Sequence, residues 1–96
     1  MNTPTEIKTS DKAYLLYYDN RAYRKMEEQT GKPFARFQHE SISEMTSLLW
    51  AGLLRHQPKA TIETADEIID DLGYETVMQI VVKAVEQSPP FQTAKE

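Results

Sequence analysis

Leu48-Leu49-Trp50-Ala51-Gly52-Leu53-Leu54-Arg55-His56-Gln57-Pro58 is an almost unbroken apolar run that carries the single tryptophan of the chain. Upstream of it, Ser41-Ile42-Ser43-Glu44 has the form of a capping box, in which a serine hydroxyl and a glutamate carboxylate satisfy each other's first-turn amides. Pro58 cannot continue a helix. The spacing therefore predicts a central helix from about Ile42 to His56, with Ile42, Met45, Leu48, Leu49, Leu53 and His56 on one stripe. Trp50 and Leu54 lie to one side of that stripe, so the last turns are apolar almost all round. Such a helix is either enclosed by its own chain or shared with another.

The neighbouring segments supply the enclosure. Asp19 or Asn20 can cap a helix that Gly31 ends through its tolerance of the left-handed conformation, and Pro33 confirms the break. Between Lys32 and Glu40, the spacing of Phe34 and Phe37 allows one helical turn that caps the core, but the two read first as simple plugs for the core. Thr61 caps a third helix whose Ile62, Ala65, Ile68, Ile69 and Leu72 face inward and which Gly73 closes. Val77, Met78, Val81, Val82 and Val85 mark a fourth, from about Tyr74 to Gln87. Ahead of them all, Glu6 to Thr9 and Ala13 to Tyr18 flank Ser10-Asp11-Lys12 as the strands of a short hairpin. In its second strand Tyr14, Leu16 and Tyr18 face one way and Ala13, Leu15 and Tyr17 the other. Either helices cover one side while tyrosine hydroxyls keep the other wet, or a face or edge of the ribbon meets another subunit.

The expected architecture is mainly α, a bundle of about four helices with an N-terminal β-hairpin, in one domain over residues 6–87. Residues 1–5 and 88–96 are polar or proline-bearing and are left outside it. A length of 96 residues permits one modest core, and 40% hydrophobic with 27% charged residues is a folding composition. The formal charge of −4 gives phosphates no broad basic field to meet. A helix-turn-helix reading of the second and third helices fails on the same ground, since the third would enter a groove carrying Glu63, Asp66, Glu67, Asp70 and Asp71. No nucleic-acid partner is expected. No run of about 18 apolar residues and no signal-peptide core is present, so no membrane partner is expected and the chain reads as unexported.

Chemistry-bearing patterns are scarce. Without cysteine there is no disulfide, thiolate or Cys-ligated zinc. His39 and His56 lack the helical pairing of a zinc site, and the carboxylates between Glu63 and Asp71 lie along a solvated helix face rather than around a calcium loop. No phosphate-binding glycine loop or serine nucleophile motif occurs. The expectation is a protein with no catalytic residue, cofactor, metal or small-molecule substrate.

Tyr18-Asp19-Asn20-Arg21-Ala22, Met26-Glu27-Glu28-Gln29-Thr30-Gly31, Leu48-Leu49-Trp50-Ala51-Gly52-Leu53, Thr61-Ile62-Glu63 and Ile68-Ile69-Asp70, in that order, resemble the tail assembly chaperones of long-tailed bacteriophages, including those of gene transfer agents and prophages. The resemblance covers most of residues 6–87. It implies a non-enzymatic viral protein of the host bacterial cytoplasm that binds and solubilises the tape measure protein, promotes assembly of the tail tube protein around it, and forms homo-oligomers. It also implies that some members are extended by a frameshift. A small adaptor or regulator acting on another phage or host protein is the alternative. On the family reading, Ala51 and Gly52 allow close approach of another backbone while Trp50 and Leu54 supply apolar anchors, with Tyr14 and Tyr17 of the ribbon as further contact residues. A Trp50 buried inside the monomer remains the competing possibility.

Overall fold

The computed structural model describes residues 4–37 and 41–88. Two antiparallel strands, β1 (Thr5–Lys8) and β2 (Ala13–Leu16), lead into four helices, α1 (Asn20–Thr30), α2 (Ile42–Leu53), α3 (Ile62–Leu72) and α4 (Tyr74–Glu86), with a 3-10 turn at Phe34–Arg36. The protein is mainly helical with an N-terminal hairpin, as its patterning predicts. His39 and Glu40 lie outside the described residues.

Local chemistry sets most of the boundaries. Asp19 caps α1 by accepting from the Ala22 amide at 3.0 Å, and Gly31 ends it with φ 77°. At α2 the Ser41 hydroxyl accepts from the Glu44 amide at 3.3 Å, while the Glu44 carboxylate pairs with Lys32 across the α1–α2 connection. Thr61 caps α3 with Thr64 as its reciprocal partner, and Gly73 separates α3 from α4 at φ 93°. The hairpin turns through Thr9, whose amide donates to the Lys12 carbonyl at 2.8 Å and whose hydroxyl accepts from the Lys12 amide at 3.1 Å.

α2 is the core's axis: Met45, Leu48, Leu49 and Leu53 are buried against Ile7 and Leu16 of the ribbon, Met26 of α1, Ala65 and Ile68 of α3, and Val77 and Val81 of α4. Four expectations are corrected. α2 stops at Leu53, because Leu54 donates to Ala51 in the tighter 3-10 manner and His56 is left exposed in a turn. Ile42, in the first turn of α2, reaches past the core and stays 67% exposed. Val82 is also exposed, and Ala84 takes the place on the buried face of α4. The fold extends further at both ends than residues 6–87. Thr5 belongs to β1, and Ser88 is buried with its hydroxyl 2.8 Å from that of Tyr23.

The ribbon's inner face carries Leu16 and Tyr18, and Ala13, Leu15 and Tyr17 face outward, as alternation requires. Its β2 edge is closed from within. The side-chain amide of Gln57 accepts from the Leu15 amide at 2.9 Å and donates to the Leu15 carbonyl at 3.0 Å, so one glutamine takes the place of a third strand. The same Nε2 also donates to Leu53 at 2.7 Å. Gln57→Glu keeps the acceptor and loses both donors, setting a carboxylate against two carbonyls. Chemical denaturation at neutral pH should show a loss of about 1–2 kcal/mol, more than the loss for Gln57→Ala.

Candidate protein-binding groove

Trp50 and Leu54, one helical turn apart, are the half-buried residues at the end of α2. The indole N–H donates to the Ala60 carbonyl at 3.1 Å, which ties α2 to the segment entering α3 and fixes the ring's orientation. Opposite them, α1 presents Arg21, Lys25, Glu28 and Gln29 at helical spacing, with Ala22 beneath. Between the two helices lies an open groove of about 690 Å³, with Trp50, Ala51 and Leu54 on its apolar side.

Its end is held by electrostatics. Asp19 caps α1 with one carboxylate oxygen and accepts from the Arg55 guanidinium at 2.9 Å with the other. Arg55 in turn lies over the Tyr17 ring at 5.1 Å, and His56 meets that ring edge-on at 6.3 Å between centroids. Arg21, Lys25 and Arg55 face Asp19 and Glu28 around the groove, so cations outnumber carboxylates there by one in a chain of net charge −4. Arg21 takes part in no ion pair among the described residues.

Of the six residues singled out from sequence, Trp50, Ala51 and Leu54 line this groove. Gly52 does not, and its expected role as a landing place for a partner backbone is corrected. The backbone that approaches it belongs to the same chain: the Tyr17 amide donates to the Gly52 carbonyl at 2.9 Å, and the Tyr18 ring packs where a Cβ at Gly52 would sit. Tyr17 does not line the groove either, its ring meeting Arg55 of the lining, while Tyr14 lies apart, beside Glu67, Ile68 and Asp71 of α3. The α1 wall escaped sequence reading because Arg21, Lys25 and Gln29 at i, i+4 and i+8 look like any solvated stripe.

Among the described residues, the buried titratable groups are Glu44, which is paired with Lys32, and the tyrosines Tyr18 and Tyr23. Burial pushes the Tyr18 hydroxyl well above its ordinary value, with the neighbouring Tyr23 adding to the rise. Tyr23 is pushed up to about 12, by burial first and by the charge of Asp19 third, against a smaller opposing effect of its bond to Ser88. Tyr18 donates to the Leu48 carbonyl, and both hydroxyls lie inside the core rather than at the groove. Among the described residues, no three His, Cys, Asp or Glu side chains are placed to share a metal ion, and no helix is long and apolar enough to cross a membrane. No protein-family model, no curated protein and no solved structure matches this chain.

Proposed function

We propose that this protein is a non-enzymatic assembly chaperone of the phage tail type, which holds an apolar helix of the tape measure protein in the groove between α1 and α2. The observation that carries the reading is Trp50: a half-buried indole, pinned through its N–H to Ala60, lining an open groove with Leu54 beside it. A large, rigid aromatic next to aliphatic surface is the kind of anchor that concentrates binding energy. An amphipathic helix laid along such a groove buries its own apolar stripe, which is what keeps a hydrophobic client in solution. The surplus of cations around the groove suits a client helix whose apolar stripe is flanked by Asp or Glu. The ordered resemblance from Tyr18 to Asp70 supports the choice of client, and the scarcity of chemistry-bearing motifs supports the absence of catalysis.

Coexpression with a tape measure fragment tests the proposal, and Leu54→Asp is the informative variant because Leu54 is only half-buried and lines the groove, outside the buried core. The wild-type chain should bring the fragment into the soluble fraction. Leu54→Asp should lose most of that effect while its own unfolding free energy changes by less than about 1 kcal/mol. Trp50, as the single tryptophan, reports directly: its emission should shift to the blue when the fragment binds. No gain in the fragment's solubility, or an equal gain with Leu54→Asp, would overturn the assignment.

A further inference from the structure

The hairpin has two edges, and on one of them the outward main-chain groups have no hydrogen-bond partner among the described residues. Along β2 and just past its end, the outward amides of Leu15 and Tyr17 are taken by the Gln57 side chain and the Gly52 carbonyl. On β1, Glu6 lies directly opposite Leu15 and Lys8 opposite Ala13. Antiparallel ladders alternate, so residues across from an outward-pointing neighbour also point outward. The amides and carbonyls of Glu6 and Lys8 therefore face away from β2. Both side chains are exposed, and neither enters an ion pair among the described residues.

We infer that the free edge of β1 is a self-association surface, on which a second copy of this chain adds its own β1 antiparallel to make a four-stranded sheet across a two-fold axis at Ile7. The sequence of the edge carries the choice of occupant. With Ile7 opposite its own symmetry mate, Glu6 of each copy stands opposite Lys8 of the other, and both are the residues whose backbone groups face outward. That register forms four main-chain hydrogen bonds and two cross-strand pairs of opposite charge. Shifting by one step of the ladder in either direction sets Glu6 against Glu6 or Lys8 against Lys8. The ladder ends at Pro4, which has no amide hydrogen, and at Ser10, whose amide is already bound to Asp71 at 2.9 Å. Charges that only protected an edge would gain nothing from alternating in sign. Because Gln57 closes the other edge, association stops at a dimer instead of growing into a fibre.

Sedimentation equilibrium of the full chain is the test, and it does not depend on what fills the Trp50 groove: Leu54→Asp should leave the dimer intact. The wild-type chain should approach twice its 11.1 kDa as concentration rises. Lys8→Glu and Glu6→Lys, each alone, place like charges opposite and should weaken self-association by roughly tenfold or more. An equimolar mixture of the two variants should form a heterodimer, and the double variant Glu6→Lys/Lys8→Glu should recover the homodimer. A wild-type monomer at every concentration up to about 1 mM, single variants that associate as the wild type does, or no recovery in the mixture would each overturn the inference.

Discussion

Gly52→Ala is expected to destabilise the protein by about 1–3 kcal/mol, although in an isolated helix the same change would be favourable. The helix term is a gain of about 1 kcal/mol, because alanine loses less backbone freedom than glycine on becoming helical. Against it stands the Tyr18 ring. A Cβ on Gly52 would lie 2.3 Å from Tyr18 Cζ and 2.5 Å from its hydroxyl oxygen, well inside contact distance. The ring cannot swing clear, since it is 1% exposed, stacked on Tyr23 at 5.8 Å and held by its hydroxyl donating to the Leu48 carbonyl at 2.7 Å. Overpacking of this kind costs about 1–3 kcal/mol, and displacing the ring loses a buried hydrogen bond worth about 1 kcal/mol more. The Tyr17 amide bond to Gly52, which seats the end of the hairpin on α2, is strained by the same movement. Urea unfolding of Gly52→Ala alone and in the double variant with Tyr18→Leu checks this. The smaller side chain should recover part of the loss, so the two substitutions should be non-additive by at least about 1 kcal/mol. Additive losses would mean that the ring contact is not the cause.

Gly52 also shows where sequence reading stops. Glycine next to alanine in an apolar helix announces a close approach, and a close approach is there. What helix grammar does not contain is the identity of the approaching group, because Tyr18 reaches Gly52 only once the hairpin has folded back on α2. Features decided within a few residues were legible: the Asp19 and Thr61 caps, the Gly31 and Gly73 stops, and the alternation that sets Leu16 and Tyr18 opposite Leu15 and Tyr17 all follow from adjacent chemistry, whereas which of the two apolar faces turns inward does not. Features decided by tertiary contact were not. Ile42 fits the apolar spacing of α2 yet overhangs the core at 67% exposure, and Gln57 reads as a polar residue after a helix although it closes a strand edge. Half of the groove was visible because Trp50 and Leu54 are conspicuous. Its other wall is made of side chains whose polarity gives no hint that they face an apolar partner.

Stability should fall steeply above pH 10, and the two stacked tyrosines are the reason. In the unfolded chain a tyrosine releases its proton near pH 10, whereas in the fold burial raises Tyr18 well above that value and Tyr23 to about 12. A group whose folded pKa is raised contributes stability that is complete below the unfolded value. Above it the unfolded state has shed a proton that the native state keeps, so rising pH favours unfolding. For Tyr23 the loss runs from about pH 10 to about pH 12, and for Tyr18 it begins at the same point. Each such tyrosine lowers the unfolding free energy by about 1.4 kcal/mol per pH unit within its window. Together they can remove a large part of the margin of a small domain within two units. Urea unfolding at pH 8, 10 and 11 measures the slope, and Tyr18→Phe separates the causes. That variant should be less stable at pH 8 by about 1 kcal/mol, for want of the bond to Leu48, and should lose less on going to pH 11. If Tyr18→Phe and Tyr23→Phe both leave the alkaline slope unchanged, the hydroxyls do not hold their protons because the fold buries them, and the stacked pair is not the pH-sensitive part of the core.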